Sequence, residues 1–313
     1  GVQINVIKDY GLDEKWGALG SASEDHLNRV KELLKKYGMY VELDMRNLDY
    51  DRLVEVLEVT NKLGAEVVRS YIPIKPAKNI ESLSGAEGAY DFAKVRCDFD
   101  ENSYAEGIEK VRKIIPLLEK YRIKLALENH EYETSEELVA VIKEINNPWV
   151  GLLYDFGNSM MTWEEPVKAA ENMAPYTYST HFKDHIIIEE PNDKYGYVVC
   201  GVPAGTGNID LESCFNIMMK NSSLTRINVE MCYPYCAQFK RTPGVGGVAK
   251  VGEGAFKVEK HPYDYNIIKL SQYYYPHEIS EEMLEKMLVD QMKGVEVSVK
   301  YLKALREKYM NNI

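Results

Sequence analysis

The sequence predicts an α/β fold, a parallel TIM (β/α)8 barrel occupying residues 1–313 as one domain. Three observations carry this reading. Short apolar runs alternate with longer segments of helical periodicity, and such alternation implies a parallel sheet with right-handed crossovers. Gly38 and Gly64 stand where a helix must stop before the next strand. Four later apolar runs each end on Glu, Asp, His or Glu, and the ends of barrel strands are where the chemistry sits.

Residues 2–7 read as the first strand. A helix follows over 23–37, capped by Ser23, with Leu27, Val30, Leu33 and Leu34 as its apolar stripe. Residues 39–43 form the next strand. Asp49 or Asp51 starts a helix that turns Leu53, Val56, Leu57 and Leu63 inward, and 66–72 is the third strand. Residues 73–100 make a long connection rich in Gly, Pro and Ser. The helix at 101–121 leads to a strand over 121–127. Thr134 and Glu137 have capping-box spacing for a helix ending at 145. Strands at 150–155, 176–181 and 226–230 follow, with helices around 163–172 and at 210–221 between them. An excursion at 186–208 contains GVPAGTGN, whose spacing is not that of a dinucleotide loop. Residues 232–275 read as long and irregular: a lid, a partner-binding loop or disorder. A long amphipathic helix at 280–309 closes the outer layer.

The strand candidates number seven, whereas a closed barrel has eight. The eighth lies either within 263–275 or in a first βα unit preceding Gly1. The abrupt start at Val2, inside a strand, favours the second. Two long loops, 73–100 and 232–275, are expected on the C-terminal face.

Glu128, Asp155, His181 and Glu230 close the four later runs. A single acid at a strand end is often a helix cap or an ion-pair partner. Four in succession converge on one point. Carboxylates with imidazole suit Mn²⁺, Mg²⁺, Co²⁺ or Zn²⁺, and the absence of thiolate argues against a structural zinc. His130, two residues beyond Glu128, is a candidate base, because imidazole titrates near neutral pH. Lys183 and His185 are candidate substrate contacts.

With 45% hydrophobic and 28% charged residues, a large core is available and disorder is disfavoured. A net charge of −11 argues against a nucleic-acid or anionic-membrane binder. No run has the length of a transmembrane helix. Five scattered cysteines point to reduced thiols and a cytoplasmic location. CYPYC, from Cys232 to Cys236, is a weak metal motif without a second pair.

The runs ENH, DFGN, HFKDH, GVPAGTGNID and VEM resemble those of the xylose-isomerase-like TIM barrels, which include sugar-phosphate isomerases and epimerases. That resemblance implies one divalent metal, Mn²⁺ first, on Glu128, Asp155, His181 and Glu230. Three positions depart from the keto-sugar 3-epimerase pattern: Asn158, Ile187 and Thr134 replace a His, an Arg and a Glu. With His130, the YYYPHEIS segment and the long last helix, the pattern is also similar to C-glycoside deglycosidase α subunits. This implies a metal-dependent lyase that cleaves 3-oxo-C-glycosides together with a small β subunit. The alternative is a divalent-metal keto-sugar isomerase or 3-epimerase. A repair-type nuclease and a silent scaffold are weaker readings. Apolar residues of the two long loops (Ile80, Leu83, Tyr90, Phe92, Tyr235, Phe239, Phe256 and Tyr263) are expected to form an exposed collar for the β subunit.

Overall fold

The computed structural model describes residues 1–6, 16–46, 48–74, 102–232, 235–262 and 280–311. Seven parallel strands run in the order β1 (Val2–Asn5), β2 (Val41–Asp44), β3 (Val67–Ser70), β4 (Lys124–Glu128), β5 (Val150–Asp155), β6 (Thr177–Phe182) and β9 (Asn228–Val229). The helices between them are α1 (Glu24–Lys36), α2 (Tyr50–Leu63), α3 (Asn102–Tyr121), α4 (Ser135–Ile145), α5 (Pro166–Met173) and α6 (Leu211–Asn221), followed by α7 (Glu281–Met310). This is a nearly closed TIM barrel. The sheet's two edges are β1 and β9, so an eighth strand would stand between them; residues 263–275 lie outside the described set.

Local chemistry explains most boundaries. Asp49 caps α2 by accepting from Arg52 N, and Gly64 ends it in the left-handed region at φ 74. Thr134 and Glu137 form the capping box of α4. Some details differ from the sequence reading. Ser23 makes no side-chain cap bond, and Leu33 is exposed. The central strand begins at Lys124, because α3 continues to Tyr121 and Arg122 turns at φ 57.

The excursion after His181 is itself a sheet. β7 (Asp184–Glu189) and β8 (Tyr197–Val202) form an antiparallel hairpin, flanked by β10 (Cys236–Ala237) and β11 (Val258–Glu259). The GVPAGTGN turn closes on Asp184, whose Oδ2 accepts from Gly205 N (3.0 Å) and Gly207 N (2.8 Å). A side chain at Gly207 would collide with that carboxylate, which explains the glycine.

Residues 235–262 are mostly turns and bends, but parts of them pack against the barrel. Phe239 and Phe256 are buried against Trp163, with ring centroids 3.9 and 5.8 Å away. Lys240 N bonds to Met161 O, and Val248 N to Trp163 O. The exposed collar is therefore corrected at Phe239 and Phe256, which a neighbouring indole covers. Ile80, Leu83, Tyr90, Phe92 and Tyr263, together with Cys97 and His277, lie outside the described residues. Among the described residues no helix is long and apolar enough to cross a membrane.

Candidate metal centre

Strand register assembles the site. On a strand, alternate residues face the same way. Asp155 and His181 are direct partners across β5 and β6, while Glu128 pairs with Leu153, two residues before Asp155. A bulge in β6 sets this alignment: Leu152 pairs with Thr177 but Leu153 with Ser179. Without the extra residue, Asp155 would stand opposite Thr180. Glu230 lies just past β9, its N–H bonded to Phe182 O at 3.2 Å. Glu128, Asp155, His181 and Glu230 thus offer ligand atoms that all lie within 4.8 Å of one another. This cluster could hold a metal.

The surroundings fit a cation. Asp155 Oδ2 and Glu230 Oε2 are buried and receive no well-aligned hydrogen bond. Both lie within ion-pair reach of Lys183 Nζ, at 2.7 and 2.6 Å. The buried Lys183 ammonium therefore neutralises part of the triple negative charge. Burial raises the Asp155 carboxyl to about 6, although Lys183 opposes the shift. Burial also acts to raise Glu128, but Arg69 and His181 outweigh it and hold that carboxyl well below its usual range. Arg69, from β3, binds Glu128 Oε2 and Asp44 Oδ1.

A polar layer beneath the cluster orients His181. Glu42 is fully buried and accepts from Gln3 Nε2 (3.3 Å), Ser179 Oγ (2.6 Å), Asn228 Nδ2 (2.7 Å) and Arg226 Nε (3.1 Å). Because Gln3 must turn its NH2 toward that carboxylate, its Oε1 faces His181 Nε2 at 2.6 Å. Nε2 then carries a proton, and Nδ1 points at the carboxylates, 2.9 Å from Glu128 Oε1.

His130 falls beyond the end of β4. Its ring stacks on Tyr71 at 4.2 Å and 9°. Burial lowers its pKa, with Glu128 pulling the other way. Its backbone N–H donates to Glu133 Oε2 at 2.9 Å. The next residue, Glu131, has φ 74, a strained value for a non-glycine; Tyr235 Oη and Lys240 hold its carboxylate. His185 is fully buried against Gly157, and neither ring nitrogen makes a well-aligned hydrogen bond. Cys232 Sγ lies 3.5 Å from Lys183 Nζ, and Cys236 of β10 stands opposite Cys200 of β8.

The sequence reading did not single out Arg69, Gln3, Glu42, Asn129 or Glu133. Only Arg69 and Glu42 carry a local signal, a charge inside an otherwise apolar strand. The partners of the others come from distant strands or turns.

A sequence model described as the xylose isomerase-like TIM barrel matches residues 12–242. The chain is 26% identical over 197 residues to the uncharacterized protein YihM of Escherichia coli, covering 63% of this chain and 53% of YihM. It thus spans about half the length of that relative. It is 22% identical over 227 residues to 3-oxo-isoapionate decarboxylase of Pectobacterium atrosepticum, covering 72% and 74%. Among solved structures, a xylose isomerase domain protein from Planctomyces limnophilus superimposes with a TM-score of 0.58 at 13% identity over 98% of both chains. A xylose isomerase-like TIM barrel protein from Mycobacterium smegmatis, in complex with magnesium, gives 0.52 at 18% identity over 76% and 79%. The structural likenesses speak for the fold, and the sequence match extends over well over half the chain: it belongs to the xylose isomerase-like TIM barrel family.

Proposed function

We propose that this chain is a divalent-metal-dependent lyase that breaks a carbon–carbon bond beside a 3-oxo sugar, with 3-oxo-C-glycosides as the substrate class. The observation that carries the reading is the convergence of Glu128, Asp155, His181 and Glu230, with His130 two residues past Glu128 and its ring stacked on Tyr71. Those four residues would hold one ion, Mn²⁺ first, with Mg²⁺, Co²⁺ and Zn²⁺ as alternatives. Bound there, the ion would act as a Lewis acid on the 3-oxo oxygen and offset the charge that develops on it.

The chain's own residues supply the rest. The ketone acidifies the proton on C2. His130 takes that proton, the freed pair forms the C1=C2 bond, and the C1–aglycone bond breaks. Its electrons leave with the aglycone carbon, which gains a proton. Lys183 meets a substrate oxygen from its place between Asp155 and Glu230. His185, fully buried against Gly157, is the other candidate substrate contact. The decarboxylase relative is named for the loss of a carboxyl group from a 3-oxo substrate, which is the same class of bond breaking.

A keto-sugar isomerase or 3-epimerase is the second reading. It is favoured by two carboxylates, Glu128 and Glu230, contributed from separate strand ends. Arg69 makes Glu128 a poor base, which weighs toward the lyase. The small β subunit rests on the resemblance alone, because Phe239 and Phe256 are already covered.

Incubating the protein with 3-oxo-C-glycosides and keto-sugars, with and without Mn²⁺ and a co-expressed neighbouring small subunit, separates these readings. Aglycone release that depends on metal and is lost in Asp155→Ala supports the lyase. Interconversion of keto-sugars without aglycone release supports the epimerase.

A further inference from the structure

α7 buries one side and leaves another uncovered. Met283 and Met287 pack on the β7–β8 hairpin, Gly294 meets Met231, and Ser298 Oγ accepts from Ala204 N. Leu302 and Leu305 join the main core. Leu284, Leu288, Met292 and Val295 follow at helical spacing and are exposed, Leu288 at 52% and Met292 at 63%. They form a continuous apolar stripe beside the buried face.

The charges on that stripe are ordered. Glu281 and Glu285 occupy its N-terminal end, and Lys303 and Arg306 continue it at the C-terminal end. None of these four makes an ion pair among the described residues. The stripe is therefore acidic, then apolar, then basic, over a helix roughly 45 Å long.

Such a pattern is complementary to its own reverse. A second copy laid antiparallel, with the two-fold axis at Met292, sets Glu281 opposite Lys303, since 292 − 281 and 303 − 292 are both 11. The same axis brings Val295 opposite Val289, another exposed residue. Parallel packing would bring the two acidic ends together. We propose that α7 is the interface of an isologous dimer of this chain, formed by antiparallel apposition of the stripe centred on Met292. This surface lies on the outer layer and does not depend on the proposed chemistry.

Sedimentation velocity and light scattering on the full chain test the proposal. The expected result is a species of twice the chain mass. Met292→Glu or Leu288→Glu should raise the dimer dissociation constant at least about a hundredfold, because a charge is then buried at the axis. Both side chains are exposed, so circular dichroism and melting temperature of the monomer should not change. Lys303→Glu should also weaken the dimer, and adding Glu281→Lys should restore it. A monomer at every concentration overturns the proposal, as does a dimer indifferent to Met292→Glu. Failure of the double charge reversal to restore pairing overturns the antiparallel arrangement.

Discussion

Asn129 and the main chain of Asp155 hold each other reciprocally: Asn129 Nδ2 donates to Asp155 O at 2.9 Å, and Asn129 Oδ1 accepts from Asp155 N at 2.7 Å. The pair ties the end of β4 to the end of β5 and thereby sets the spacing of Glu128 and Asp155. Asn129→Ala would orphan a buried N–H and a buried C=O. The expected cost is about 2–4 kcal/mol in urea unfolding, together with weaker metal binding. Unchanged stability would show that the strand ends hold their spacing without it.

Gln3 acts on the same site from below. Gln3→Leu removes the acceptor that keeps the proton on His181 Nε2. Metal affinity, measured by competition with a chelating dye, should fall about 10–100-fold while the far-ultraviolet spectrum stays the same. A variant that binds metal as tightly as the parent would mean that Nδ1 is presented without help from Gln3.

His130 is expected to serve as base and not as ligand. His130→Gln should retain metal, seen by elemental analysis, and lose about 10²–10⁴-fold in rate. Loss of the metal would instead place His130 in the coordination shell.

The four-residue cluster was legible because each member closes an apolar run, and parallel strands bring their ends to one level. The second sheet was not, because residues 184–189 continue directly from β6 and chain direction alone does not reveal that the strand leaves the barrel. Phe239 and Phe256 looked exposed because they sit among glycines and charges; Trp163, which covers them, lies far upstream. Arg69 was passed over because its reason for being buried, Glu128, is 59 residues away.

Glu133 gives a pH signature away from the ligands. Burial pushes its carboxyl up to about 8 from 4.5, although backbone N–H donors oppose the shift. The native state therefore holds this proton more tightly than the unfolded chain does. The resulting stability is fully present below about 4.5 and is lost as pH rises through about 8. Glu133→Gln keeps the shape without the titration. Its stability relative to the parent should climb by roughly 1.4 kcal/mol per pH unit across that window. Parallel pH profiles for the two proteins would assign the group an ordinary pKa.

The indole of Trp163 has a consequence for cooperativity. It is stacked on Phe239 and donates Nε1–H to the Arg241 carbonyl at 2.9 Å, while the main-chain carbonyl of Trp163 accepts from Val248 N. The turn that bears it begins at Asp155 and passes through Gly157 and Asn158, whose N–H groups bond to Asp155 Oδ1. Residues 238–248 and the turn after Asp155 are thus expected to open and close together. The Lys240 and Val248 amides should exchange with solvent on the timescale of global unfolding, and any event that lifts this flap would also disorganise the carboxylates it shelters.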